Sequence, residues 1–84
     1  MESKREFKHI AKLIRKARVQ SGISQVKLSK KMGFKNGQFV SNIERSKCSL
    51  PVRKIGDVTS TLKIDKKEII DAMVKDYRAT LENH

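Results

Sequence analysis

Eighty-four residues carrying 20 Lys/Arg against 9 Asp/Glu, a formal net charge of +11, describe a short polycation. Such a length supports one modest hydrophobic core, so residues 1–84 are read as a single domain. A lone cysteine excludes an internal disulfide, and no apolar run approaches a membrane span.

Cys48 suits a reducing cytoplasm and is expected to be a small packing residue rather than a nucleophile. The start of the chain is charged where a signal peptide would be apolar, which also fits a cytoplasmic protein. The charge is unevenly spread. Residues 1–54 hold 15 Lys/Arg and 3 Asp/Glu, a balance of +12, whereas residues 55–84 hold 5 and 6, a balance of −1. A polycationic first part attracts phosphate backbones through counterion release. A membrane surface is the competing anionic partner, but the apolar residues beside these charges are spaced to build a core.

The first helix is expected from about Lys4 to Gln20. Phe7, Ile10, Ala11, Ile14 and Ala17 recur at three and four residues, with Leu13 widening the stripe and Lys8, Lys12, Arg15 and Lys16 outside it. Gly22 ends it, and Ile23 precedes an N-cap at Ser24, where a staple residue belongs. The second helix runs on from Gln25. Leu28 and Met32 share its inner face, Lys27, Lys30 and Lys31 point elsewhere, and Gly33 closes it at positive φ. Phe34 should turn back to the core. Asn36 is the next expected N-cap, with Gly37 the first residue of a third helix whose buried side is Val40 and Ile43.

Pro51 suits the first turn of a fourth helix. Val52, Ile55, Val58, Thr59 and Leu62 continue the apolar pattern, and Lys63-Ile64 ends it. Asp65 caps a fifth helix, about residues 66–82, with Glu68 completing a capping box. Its apolar stripe, Ile69, Ile70, Met73, Val74, Tyr77 and Leu81, is wider than so small a core needs. Ile70, Met73, Val74, Tyr77 and Leu81 are therefore candidates for a two-fold homodimer contact; the alternative is a helix folded wholly onto its own core. No segment reads as a strand.

Gln38 and Asn42, four residues apart, face one way on the third helix, and each amide can bond the donor–acceptor edge of adenine. Arg45, one turn further, suits guanine or a phosphate. Gln25 begins its helix, where side-chain amide and backbone N–H can both bond a phosphate. By spacing alone the same residues also fit an ordinary amphipathic helical hairpin with a solvated polar face. Glu44, the only acid between Glu6 and Asp57, would repel a phosphate-bearing ligand unless it has a local partner.

The stretch from Ser24 to Arg45 resembles the helix-turn-helix of the Cro/repressor-like family of phage and bacterial regulators. The resemblance rests on Gln25, Leu28, Ser29, Gly33, Val40-Ser41, Ile43 and Glu44-Arg45, against the family's S-Q-x-x-L-A, G and I-S-x-I-E-R-G. It extends to a P-x-x-x-I-x-x-V-x-x-x-L pattern at Pro51, Ile55, Val58 and Leu62, followed by Ile64, and so spans the first four helices. Two departures stand out: one extra residue before the third helix, at Lys35, and Ser46 in place of the usual glycine.

The resemblance implies an all-α, five-helix, lambda-repressor-like DNA-binding domain whose second and third helices form the helix-turn-helix. It implies a sequence-specific regulator, repressor or activator, that binds an inverted-repeat operator as a homodimer. It further implies an Arg18–Glu44 ion pair, base reading by Gln38, Phe39, Asn42 and Arg45, and phosphate contacts from Gln25, Lys27, Lys35, Asn36, Ser41 and Lys47. Phe39 stands where the family is often polar; it either meets a thymine methyl or covers the inserted turn. Alternatives to a stand-alone regulator are an antitoxin that also binds a toxin protein and a structural protein binding nucleic acid without preference. An enzyme is not expected. No carboxylate pair, metal-ligand cluster or nucleophile–base set is present, His9 and terminal His84 do not supply one, and no cofactor is implied.

Overall fold

The computed structural model describes residues 6–83, which fold into five α-helices and no strand among the described residues. They are α1 (Lys8–Gln20), α2 (Gln25–Lys31), α3 (Gln38–Glu44), α4 (Ile55–Leu62) and α5 (Lys66–Glu82), with a 3-10 turn at Val52–Lys54 before α4. None of them is long and apolar enough to cross a membrane.

One hydrophobic cluster joins all five. Ile10, Ile14 and Ala17 of α1 meet Leu28 of α2, Val40 and Ile43 of α3, Ile55, Val58 and Leu62 of α4, and Ile69 and Ala72 of α5, with Met32 and Leu50 from the connections. α1 packs on both α3 and α5, so it is the central element, and α2 packs on α3 and α4.

The helix ends follow local chemistry. Ser24 Oγ accepts the Lys27 N–H at 3.0 Å and starts α2. The Asn36 side-chain oxygen accepts the Gln38 N–H at 2.9 Å, so it caps α3, although the regular helix begins at Gln38, one residue after the expected Gly37. Glu68 accepts the Asp65 N–H at 3.2 Å, the return arm of a capping box on α5. Four helices stop at left-handed residues: Gly22, Gly33, Ser46 and Lys63. At the first three, paired backbone bonds close the end in a Schellman motif. After α3, for example, Ser46 N–H donates to Ile43 O at 3.0 Å and Lys47 N–H to Asn42 O at 2.9 Å.

Several expectations are corrected. The part of the first helix expected at Lys4 and Arg5 lies outside the described residues, but Glu6 and Phe7 are not helical, and α1 begins at Lys8. The cause is a carboxylate from the far end of the chain. Asp76 of α5, only 3 % exposed, accepts the N–H groups of His9 at 2.7 Å and Ile10 at 2.9 Å. It therefore caps α1 in trans, satisfying donors that a helix start leaves orphaned. Pro51 precedes a 3-10 turn rather than entering α4, and Val52, placed in the buried pattern by its spacing, is 77 % exposed. The broad stripe expected on α5 divides in two: Ile69 faces the core with Ala72, whereas Ile70, Val74, Tyr77 and Leu81 face out and Met73 is half-buried between them.

Candidate nucleic-acid interface

α2 and α3 meet at very close range. A Cβ placed on Gly37 would lie 3.0 Å from Val26 Cγ2 and 3.2 Å from the Val26 backbone nitrogen, so only glycine lets the start of α3 abut the start of α2. Deeper in, small and buried Ser29 offers its Oγ to the Val40 N–H at 3.3 Å. Between the helices, Gly33 at φ +90° reverses the chain. The Phe34 ring stacks on Phe39 with centroids 4.2 Å apart and planes at 19°, and Lys54 Nζ sits 5.2 Å above Phe34. Phe39 thus packs over the α2–α3 connection through Phe34.

With Val40 and Ile43 fully buried, α3 is anchored from behind and its other side is free. There Gln38 Nε2 donates to Asn42 Oδ1 at 2.9 Å, an exposed bond between two amides one turn apart. Arg45 ends the helix, exposed; Ser41 is half-buried beside them. Lys27, Lys35, Asn36 and Lys47 are exposed around this side, as are Lys30 and Lys31.

Glu44 is the one acid here, and it is withdrawn from solvent. Its side chain is 4 % exposed and takes two bonds from Arg18, Nε to Oε2 at 2.6 Å and Nη2 to Oε1 at 3.1 Å. Arg18 Nη1 also donates to Ile23 O at 2.8 Å, tying the pair to the α1–α2 connection. Glu44 raises the Arg18 pKa above its ordinary value, through the hydrogen bond first and charge attraction second, while burial opposes both. Gln25 Nε2 completes the set, donating to Glu44 Oε1 at 3.0 Å. Gln25 thus turns one of the two N–H groups of its amide inward, to Glu44. One carboxylate thus fastens α1, α2 and α3 together.

Comparison with protein-family models, with curated proteins and with solved structures gives no match.

The remaining candidates fall elsewhere. Cys48 is half-buried against the core, and burial pushes its thiol pKa up, which disfavours the reactive thiolate. His9 Nδ1 lies 3.0 Å from Asp76 Oδ1 and belongs to the α1–α5 junction. Among the described residues no three His, Cys, Asp or Glu side chains are grouped to hold a metal ion. Sequence reasoning missed Asp76. The signal was an acid at helical spacing from Ile69, Ala72 and Met73, on a face that should otherwise be apolar.

Proposed function

We propose that this protein binds double-stranded DNA sequence-specifically and acts in the cytoplasm as a small transcriptional regulator, with α2 and α3 as a helix-turn-helix of the Cro/repressor-like type and α3 in the major groove. One observation carries the reading: the outer side of α3 offers two amides and a guanidinium, is ringed by exposed lysines, and has its only carboxylate neutralised from behind by Arg18 and hydrogen-bonded by Gln25. The motif resemblance of Ser24–Arg45 supports it. So does Ser46, which at φ +61° takes a conformation suited to the family's usual glycine.

The work divides into two layers. Lys27, Lys35, Asn36, Ser41 and Lys47, with the N-terminus of α2 at Gln25, hold the phosphate backbone and fix the register. Gln38, Asn42 and Arg45 read base edges, the amides suited to adenine N6/N7 and the guanidinium to guanine O6/N7. In a homodimer two such helices about 34 Å apart would select an inverted repeat.

Selection of bound duplexes from a random pool tests this. A palindromic site with half-sites one turn apart is expected; a bound pool without sequence preference would leave only a non-specific nucleic-acid protein. Gln38→Ala or Asn42→Ala should then cost about 1–3 kcal/mol on the selected site and relax one position within it. A second reading, an antitoxin, keeps the same DNA face and gives the exposed apolar side of α5 to a toxin protein. A partner that co-purifies at fixed stoichiometry would favour it.

A further inference from the structure

The outer face of α1 is a row of cations. Lys8, Lys12, Arg15 and Lys16 are all exposed, and exposed Val19 stands among them. Lys12, Arg15, Lys16, Val19 and Gln20 line an open groove of about 510 Å³. α1 contains no Asp or Glu, and among the described residues none of the four cations has an ion pair or a side-chain hydrogen bond. Lys8, Lys12 and Lys16 follow one another at four residues, and Arg15 lies three after Lys12, so like charges are neighbours along the helix and weaken it. α5 avoids that repulsion by mixing Lys66, Lys67, Lys75 and Arg78 with four acids. The row faces neither flanking helix. Arg18 reaches α3 through Glu44, while His9 and Leu13 border α5 in a groove shared with Glu68, Asp71, Ala72 and Lys75. With about 100° between successive residues, the middle of the row lies roughly 100° round α1 from Arg18 on one side and from Leu13 on the other. Glu68 and Asp71, the acids of the α5 groove, form no ion pair with Lys12 or Lys16.

Uncompensated cations at one-turn spacing suit a ligand that is anionic at regular intervals and need not be read. A duplex backbone is such a ligand, and Lys and Arg meet it without reference to sequence. A lipid surface would want Trp, Phe or Leu beside the charges, and a protein partner would want aromatic anchors; the row offers only Val19. We propose that the outer face of α1 holds the backbone of a second DNA duplex, without sequence preference, while α3 holds the first, so that the protein bridges two duplex segments. The proposal rests on the DNA-binding reading for the first duplex and adds a separate surface to it. Four phosphate contacts at about 0.9 each give the second attachment a slope of about −3 to −4 in log K against log salt concentration.

Capture of a fluorescent duplex by beads provides the test. The beads carry a mixed-sequence duplex, are saturated with the full chain and are washed before the fluorescent duplex is added. Capture with the expected salt slope supports the proposal. Replacing the row by Lys8→Gln, Lys12→Gln, Arg15→Gln and Lys16→Gln together should lower capture at least about tenfold while the bead duplex is held within about threefold of the original affinity. Lys8→Arg, Lys12→Arg and Lys16→Arg together should keep capture, and circular dichroism checks that both variants fold. A chain that holds the bead duplex and captures nothing overturns the proposal and leaves the DNA reading standing. Undiminished capture by the Gln variant overturns it too, since the second duplex is then held by the α3 of another copy. Loss of both duplexes together places the row on the same face as α3 and again overturns it. Anionic phospholipid vesicles captured where a duplex is not would give the row to a membrane surface instead. A chain that holds no duplex at all loses the DNA reading as well as the bridge.

Discussion

Ser46 holds a φ of +61° without the freedom of a glycine. An L-residue there is strained by about 1–2 kcal/mol, while glycine in exchange adds entropy to the unfolded chain. Ser46→Gly should therefore stabilise the protein by about 0.5–1 kcal/mol, visible as a raised urea midpoint with an unchanged slope. The Arg18–Glu44 pair answers to a different measurement. Removing either partner leaves the other charged and poorly solvated, so Arg18→Met or Glu44→Gln alone should cost about 2–4 kcal/mol. The double variant should recover much of that loss, and purely additive losses in the cycle would show that the two groups do not act on each other. Because Glu44 also binds Gln25, the recovery should be incomplete while that amide keeps only a neutral partner.

For the elements, the α2–α3 junction is the sensitive one. Gly37→Ala forces a methyl against Val26 Cγ2 and, less avoidably, against the Val26 backbone. We expect a loss of about 1–3 kcal/mol, with partial relief at most from Val26→Ala, since the backbone atoms remain. This junction also marks where the sequence was informative. Ser24, Gly33, Asn36, Asp65 and Glu68 announce helix ends through hydrogen bonds made within a few residues, and such bonds depend on local chemistry alone. Val40 and Ile43 were equally legible, because a three-residue interval on a short polar helix leaves them one place to go. What could not be read depends on distant neighbours. The start of α1 is set by Asp76, 66 residues beyond the Ile10 amide it receives. Val52 follows the apolar rhythm of its segment, yet the 3-10 turn rotates it outward. The side-chain nitrogen of Gln25 could be placed on Glu44 only once three helices were assembled.

At the scale of the whole molecule, charge is the governing quantity. The first 54 residues carry a balance of +12, and the lysines of α2 and of the connections on either side of α3 stand exposed beside the amide pair. Binding to duplex DNA should weaken steeply with salt, log K falling linearly with log salt concentration. Lys27→Ala should lower affinity for all sequences alike and reduce the magnitude of that slope by about 1, measured by titration at several salt concentrations. Asn42→Ala should instead leave the slope unchanged and alter the preferred sequence. The two variants thus separate attraction to the polymer from discrimination among its bases.

The clasp between Asp76 and the beginning of α1 joins two helices far apart in sequence, α1 and α5. During synthesis on the ribosome, the start of α1 must wait for α5 to emerge before its own first turn is secured. Truncation before that aspartate would accordingly fray the first turn of α1, and the damage would spread from there toward α3, which α1 supports.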